Sequence, residues 1–114
     1  MIREGLIVLF RFPLSDLSAG KLRPALVLRR CPGPHDDWLI CMISTQLHQE
    51  VTGMDEVIRQ TDPDFTGSGL KVASVVRITR IAIISSDSLC GAIGKLPGKR
   101  LDIIRKRIAM WIYD

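Results

Sequence analysis

The sequence predicts a mainly β protein, in which a small barrel of short strands is followed by a C-terminal α-helix. Short apolar runs rich in Val, Ile and Leu recur along most of the chain, and segments rich in glycine and proline separate them. After residue 98 the apolar residues change to a helical spacing. Several short strands and then one helix are typical of a small barrel.

The first three predicted strands are continuous apolar runs at residues 6–10, 25–28 and 38–43. Pro24 stands directly before the second run. A proline can open a strand, but it cannot sit in the middle of an internal one. Residues 31–37 contain two prolines and a glycine, so they are predicted to form a turn or loop.

The second half of the chain is less uniform. Residues 47–70 are polar and are predicted to be loop, except for one short edge strand near residues 56–58. Residues 72–84 predict a strand with a bend, and residues 92–93 predict a short strand. Gly98 is the predicted N-cap of the final helix. The spacing i, i+3, i+7 and i+10 predicts that Leu101, Ile104, Ile108 and Trp111 share one face of this helix. Ile104 and Ile108 are expected to face the core.

Length and composition limit the class of protein. The 114 residues fit one domain, residues 1–114, and 46% of them are hydrophobic, enough for a core. No apolar run approaches the roughly 18–20 residues that cross a bilayer, and the N-terminus has no signal-peptide layout. We therefore expect a cytoplasmic protein without a membrane partner. The three cysteines form no CxxC pair, and Cys41, inside an apolar run, is predicted to be a small buried hydrophobe.

The charge is unevenly distributed along the chain. Residues 50–64 hold five acidic residues and one arginine, whereas the rest of the chain holds 15 basic and 7 acidic residues. Arginine outnumbers lysine by 11 to 5, and its planar guanidinium suits phosphate well. A polyanionic partner and an ordinary basic surface both agree with this distribution.

The sequence gives no pattern for a metal site or a cofactor. The cluster His35-Asp36-Asp37 has suitable ligand types, but three adjacent loop residues rarely converge on one ion, so we interpret it as part of a turn. Paired Cys/His spacings, HExxH motifs and phosphate-binding glycine loops are missing from the sequence. We predict neither a metal nor a cofactor.

Polar residues at the ends of the predicted strands are the candidate functional residues. Strand ends in a small barrel lie on common rims, where arginines and a hydroxyl group form a pocket for a phosphate. A solvated surface position is the alternative for each arginine, and we favour it for Arg80. The candidates are Lys21, Arg23, Ser44, Thr45, Gln46 and Arg77.

Several segments together resemble the MazF/PemK toxins of type II toxin-antitoxin systems. They keep the order and spacing of that family from about Gly5 to the C-terminal helix. The segments are residues 5–9, 12–13 with Ser15 and Asp16 behind them, 23–28, 43–46, 69–71, 74–77 and 93–96.

The resemblance implies a partly open SH3-like barrel and a homodimer. It also implies metal-independent, sequence-specific cleavage of single-stranded RNA such as mRNA, inhibition of growth, and neutralisation by a cognate acidic antitoxin. The family's catalytic arginine falls on Arg23, and its hydroxyl residue falls on Ser44, a serine where threonine is common. The arginine that some PemK-type members use falls on Arg77.

Two positions depart from the PemK-type pattern. Those members place an aspartate two residues after the second arginine, where this chain has Thr79, and some use a histidine where this chain has Leu17. The acid/base pair of that branch is therefore not carried over. Arginine is a poor base because it stays protonated, so the base is left open between Asp16, His48 and a neighbour of an arginine.

We therefore predict an endoribonuclease. In this hypothesis Arg23 stabilises the phosphorane and is the candidate acid, and Ser44 orients or hydrogen-bonds the scissile phosphate. The secondary or substrate-binding residues are Arg77, Thr45, Gln46, Lys21 and Asp16. Two alternatives share the fold: a non-catalytic, CcdB-like gyrase inhibitor, and an SH3-like module that binds nucleic acid or peptide.

Overall fold

The structure is a computed structural model that describes residues 2–11 and 22–114. Its described part contains six strands, a one-turn helix and a long C-terminal helix, so the predicted mainly β fold with a final helix is confirmed. The elements are β1 (Leu6–Arg11), β2 (Leu22–Arg30), β3 (Asp37–Ser44), β4 (Glu56–Ile58), α1 (Phe65–Ser68), β5 (Ser74–Ser85), β6 (Leu89–Lys95) and α2 (Gly98–Tyr113).

The strands form one antiparallel sheet in the order β4-β5-β3-β2-β1-β6. The sheet does not close, because β4 and β6 lie at opposite edges and no pairing joins them in the described residues. The predicted partly open barrel is therefore confirmed. The short strand predicted near residues 56–58 is β4, and it lies at an edge as expected.

Two apolar clusters fill the two faces of the sheet, because successive side chains of a strand point to opposite faces. The helix-side core includes Ile104 and Ile108 of α2 together with Leu26 and Cys41 of the sheet. Burial raises the pKa of the Cys41 thiol, as expected for a cysteine that packs as a small hydrophobe. The opposite core consists of Val8, Phe10, Ala25, Val27, Trp38 and Ile40.

Pro24 lies inside β2 and not at its start, because β2 begins at Leu22. The prediction that the strand begins after Pro24 is therefore wrong. Pro24 pairs with Leu9 of β1, whereas the pairing of β2 with β3 begins one residue later, at Ala25. A proline is tolerated at this point of an internal strand because one of the two neighbouring ladders has already ended there.

The predicted bend in the fifth strand is a break in its pairing with β3. Met42 pairs with Arg77, but the preceding residue, Cys41, pairs with Ile81. Residues 78–80 of β5 are therefore extra residues in a β-bulge. The last predicted strand is longer than expected: β6 covers seven residues and pairs with β1, with two register shifts.

The one-turn helix α1 was not predicted, since residues 47–70 were expected to be loop outside β4. It packs so closely on β6 that glycine is required on both sides. A Cβ atom on Gly94 would lie 2.3 Å from the backbone carbon of Ser68. A Cβ atom on Gly69 would lie 2.0 Å from the carbonyl oxygen of Ile93, and Gly69 has a φ of +74°.

Only part of the apolar face of α2 is buried. Ile104 and Ile108 are buried, as predicted, and so is Leu101, whereas Trp111 on the same face is 45% exposed. The apolar face of α2 continues beyond the part of the helix that the sheet covers. The N-cap is Pro97, and Gly98 is the first helical residue.

We expect Ile104→Ala to lower the free energy of unfolding by about 2–4 kcal/mol, because it empties a fully buried position between α2 and the sheet. Urea denaturation checks this value. Ile103→Ala is the matched control, since Ile103 is 39% exposed and should change stability far less. An equal loss in both variants would contradict the packing of α2.

Within the described residues, no helix is both long enough and apolar enough to span a membrane.

Candidate active site

Arg23 and Ser44 lie on neighbouring strands, each two residues beyond Ala25–Met42, the last pair of the β2–β3 ladder. Ala25 of β2 pairs with Met42 of β3. Because antiparallel partners run in opposite directions, this register, continued for two steps past the end of the ladder, would bring Arg23 across from Ser44. Residues two apart on a strand share one face, so Arg23 is on the face of Ala25 and Ser44 is on the face of Met42.

The face that carries this pair is the one opposite α2. Arg23 also pairs with Phe10, and Phe10 and Ala25 both belong to the opposite core. Arg23 itself is exposed and Ser44 is half-buried. Both residues therefore lie at the rim of the opposite core.

Ser44 begins a tight polar turn. Its Oγ accepts a hydrogen bond from the backbone N–H of Gln46 at 3.0 Å. A serine hydroxyl has two lone pairs and one proton, so it keeps a donor for a phosphate oxygen. Thr45 and Gln46 are exposed beside it. The predicted cluster of residues 44–46 is a structured loop that follows β3.

Arg77 lies diagonally across β3 from this pair. Ser44 pairs with Val75 of β5, so Arg77 is two residues further along the same face. Diagonal neighbours of this kind are about 7–8 Å apart, within reach of an arginine side chain. The structure thus places Arg77 beside Ser44, one strand beyond Arg23.

The guanidinium of Arg77 is incompletely bonded. Its Nη1 donates a hydrogen bond to Oε1 of Gln49 at 3.3 Å. Its Nε is buried and has no hydrogen-bond partner among the described residues. A buried N–H without an acceptor costs stability, so this nitrogen is available to an acceptor from a ligand.

The other sequence candidates are distributed unevenly. Lys21 and Asp16 lie outside the described residues. His48, one of the candidate bases, is exposed in a short 3-10 turn, Leu47–Gln49, on the same segment as Gln49. Arg80 is an exposed residue of the bulge.

The His35-Asp36-Asp37 segment turns between β2 and β3. Asp36 accepts a hydrogen bond from Nε1 of Trp38 at 2.9 Å and lies 3.5 Å from Nε of Arg30. Hydrogen bonds, first from Ser86 and then from Trp38, lower the pKa of Asp36. No group of three potential metal ligands converges in residues 2–11 and 22–114.

The acidic segment has a structural role that the sequence analysis missed. Arg100 of α2 contacts Glu56 at 2.7 Å and both Asp62 and Asp64 at 2.9 Å. Its hydrogen bond with Asp64 is the main cause of a raised Arg100 pKa. Glu56 also contacts Arg107 at 2.8 Å. We call these five side chains the arginine–acid cluster.

The acidic residues of the arginine–acid cluster lie away from the candidate site. They surround the beginning of α2, on the helix side of the sheet, whereas Arg23 and Ser44 lie on the opposite face. A cavity of about 600 Å³ beside the cluster is lined by Pro63, Gly67 and Ile103 among others, and by none of the predicted site residues. The negative charge of Glu56, Asp62 and Asp64 is thus kept away from the basic rim, the sheet end that carries Arg23 and Arg77.

Asp55 is a further residue whose role was not predicted from the sequence. It is only 5% exposed, and its Oδ1 accepts the backbone N–H of Ile78, the residue after Arg77, at 3.0 Å. In the sequence, Asp55 is one of five acidic residues within residues 50–64. Nothing in that pattern shows that one of the five is buried beside Arg77.

Comparison with known proteins agrees with this fold. The family model for the PemK-like, MazF-like toxins of type II toxin-antitoxin systems matches residues 3–112, so the chain belongs to this family. Membership in the family implies an antitoxin partner and a dimer.

A solved structure, the Mycobacterium tuberculosis toxin MazF-mt6, is similar in fold. The TM-score is 0.64 at 21% sequence identity, and the match covers 92% of this chain and 93% of that one. No curated protein sequence matches the chain significantly.

Proposed function

We propose that this toxin is a metal-independent endoribonuclease that cuts single-stranded RNA at the rim formed by Arg23, Ser44 and Arg77. The observation that supports the proposal is the register of β2, β3 and β5: Arg77 is two residues from Val75, the partner of Ser44, and the β2–β3 register continued past Ala25–Met42 leads to Arg23 and Ser44. Such a group of donors suits the extra negative charge that develops on phosphorus during cleavage.

The proposed reaction uses the RNA's own 2′-hydroxyl as the nucleophile. A base takes its proton, O2′ bonds to phosphorus, and the bond from phosphorus to O5′ breaks while an acid protonates O5′. The products are a 2′,3′-cyclic phosphate and a 5′-hydroxyl. Arg23 stabilises the phosphorane and is the candidate acid, and the Ser44 hydroxyl donates to a phosphate oxygen. Asp16 and His48 remain the candidate bases.

The RNA contacts follow from the same geometry. Arg77, Thr45 and Gln46 continue the rim away from the scissile phosphate, so they are proposed to bind neighbouring phosphates or bases. Lys21, next to β2 in sequence, is proposed to add charge. Most of the affinity should be electrostatic, so RNA binding should weaken as salt rises.

The decisive experiment incubates purified protein with a long RNA in the presence of a chelator and maps the cut ends. We expect cleavage at a short recurring sequence, with a cyclic phosphate on the upstream fragment. Intact RNA combined with inhibition of DNA supercoiling by gyrase would overturn the proposal in favour of the CcdB-like alternative. Binding of RNA or peptide without either activity would favour a binding module.

We expect a homodimer in solution. Besides the family relationship, the last turn of α2 exposes Met110, Trp111, Ile112 and Tyr113, an apolar surface of a kind that subunit contacts bury. Light scattering at tens of micromolar should give twice the mass of one chain. A monomer mass at that concentration would contradict this expectation.

We expect the cognate antitoxin to place an acidic, partly disordered segment across the rim that holds Arg23 and Arg77, because opposite charge favours that surface. Its affinity should fall as salt rises, and it should compete with RNA. Titration of labelled RNA with the antitoxin checks this competition. Tight, simultaneous binding of both would rule out a shared surface.

A further inference from the structure

We propose that Asp55 is a positioning residue for Arg77, because its buried carboxylate holds together the two backbone segments that carry Arg77 and Gln49. This inference rests on the proposed function, in which Arg77 contacts RNA. It concerns a residue that belongs to neither the basic rim nor the arginine–acid cluster.

Both oxygens of the Asp55 carboxylate bind backbone N–H groups. Oδ1 accepts from Ile78 at 3.0 Å, and Oδ2 accepts from Val51 at 2.9 Å. A carboxylate that is only 5% exposed has lost most of its hydration, so these two bonds replace water that it would otherwise need. Bonds from N–H groups to a charged acceptor are stronger than neutral ones. Asp55 is therefore a firm link between Val51 and Ile78.

The first end of this link is the β-bulge. Ile78 follows Arg77 directly and is the first of the three bulge residues that have no partner in the register with β3. The sheet supplies no fixed geometry at this point, because the ladder is interrupted there. The bond from Ile78 to Asp55 fixes the backbone where β5 leaves β3, one residue from Arg77.

The second end is the segment that carries Gln49. Val51 is two residues beyond Gln49, and its carbonyl accepts the N–H groups of Met54 and Asp55 at 3.0 and 2.9 Å. This closes a turn between Val51 and Asp55. Arg107 of α2 donates to the carbonyls of Met54 and Asp55 at 3.2 and 3.1 Å, which anchors the turn to the helix.

The side chains carried by these two segments are the ones that meet. Oε1 of Gln49 accepts from Nη1 of Arg77 at 3.3 Å, and Nε of Arg77 has no partner in the described structure. Among the described residues, Gln49 is the side chain that hydrogen-bonds this guanidinium, so Gln49 and the backbone of β5 set its direction. Because Asp55 fixes both, a change at Asp55 should move the guanidinium without removing any atom that contacts RNA.

The first test observes Arg77 itself and needs no RNA. The Nε–Hε signal of Arg77 is assigned in a ¹⁵N NMR spectrum by its disappearance in Arg77→Lys. We expect Asp55→Asn to shift or broaden this signal, because the amide of asparagine cannot accept at both positions. Gln49→Ala should do the same. The control, Asp62→Asn, removes an acidic side chain of the arginine–acid cluster and should leave the signal unchanged.

The second test measures cleavage of a short RNA in single-turnover reactions. We expect Asp55→Asn to slow cleavage by about 10-fold to 10²-fold, the scale of a misplacement of about 1 Å. In the Arg77→Ala background the same change should cost less than about 3-fold, because its effect passes through Arg77. A purely structural role would give the same loss in both backgrounds.

These outcomes separate the inference from the proposed function. An unchanged Arg77 Nε–Hε signal in a folded Asp55→Asn protein, or equal rate losses in both backgrounds, would overturn the role of Asp55. If Asp55→Asn does not fold, Gln49→Ala is used in its place, since Gln49 is less buried than Asp55. An unchanged Arg77 Nε–Hε signal in Gln49→Ala would then overturn the role of Asp55. Wild-type protein that does not cut RNA would overturn the proposed function, while the NMR test would still decide whether Asp55 positions Arg77.

Discussion

Arg23→Ala should slow RNA cleavage by about 10²-fold or more, the scale of losing one donor that stabilises charge in a transition state. Arg23 is exposed at the rim of the sheet, so the loss should not come from unfolding. Arg23→Lys should still impair cleavage strongly, because lysine keeps the charge but not the two parallel donors of the guanidinium. Single-turnover rates with excess enzyme measure the effect on the chemical step.

Arg29→Ala provides the matched control for this prediction. Arg29 is also an exposed arginine of β2, but it lies at the other end of the strand, where it pairs with Leu39. The two variants lose the same charge, so a general effect of charge on RNA binding would appear in both. Ser44→Ala should be milder than Arg23→Ala, because water partly replaces a hydroxyl group. A folded Arg23→Ala protein with the wild-type rate would show that the proposed site is wrong.

Arg100→Leu should lower the free energy of unfolding by about 3–5 kcal/mol at neutral pH, the usual cost of leaving a partly buried charge without its partner. The side chain of Arg100 is 16% exposed and binds the carboxylates of Glu56, Asp62 and Asp64. Without it, three carboxylates remain close together, and Arg107 compensates only Glu56. Chemical denaturation at several pH values measures the loss.

The pH dependence of this loss has a definite sign. The backbone N–H of Arg59 and the side chain of Arg100 lower the pKa of Asp62 in the folded protein. Wild-type stability from this group is present above about pH 4 and is lost as the pH falls through the lowered value. In Arg100→Leu, acid also relieves the repulsion among the carboxylates, so the difference between variant and wild type should narrow below about pH 4.

Lys106→Ala is the control for the charge change. Lys106 and Asp102 form an exposed pair one helical turn apart, 3.2 Å from each other, and such pairs contribute less than about 0.5 kcal/mol. A loss of similar size in Lys106→Ala and Arg100→Leu would mean that the arginine–acid cluster contributes no more than a surface pair.

The sequence predicted the strands well because each of them contains a local signal. Residues 6–10 and 38–43 are continuous apolar runs that only a buried strand or helix can accommodate, and their length favours strands. The one-turn helix α1 has no such signal. It is held by its close approach to β6 and by the bond between Arg100 and Asp64, the residue before the helix. Both contacts join residues far apart in sequence. The helical period likewise does not show where burial ends: it continues to Trp111, which is 45% exposed.

The candidate site was predictable only in part. Arg23 and Ser44 are next to recognisable strand ends and match a family pattern, so they could be selected from the sequence. Asp55 could not, because its importance depends on the bulge in β5, and a bulge is defined by the pairing of two strands. The partnership of Arg77 with Gln49 joins residues 28 positions apart and has no local signature.

The open sheet has a consequence for how the protein behaves at high concentration. An exposed edge strand is a template on which a second chain can add, and β6 is such an edge. Its pairing with β1 is interrupted by two register shifts, so no uninterrupted stretch of it exceeds two pairs, and α1 lies against it at Gly94. Arg100 binds Asp62 and Asp64, which directly precede α1, and so it holds α1 against β6. The arginine that stabilises the fold therefore also keeps this edge strand partly covered. Arg100→Leu should therefore form aggregates at lower concentration than Ile104→Ala, even when the two variants are equally destabilised.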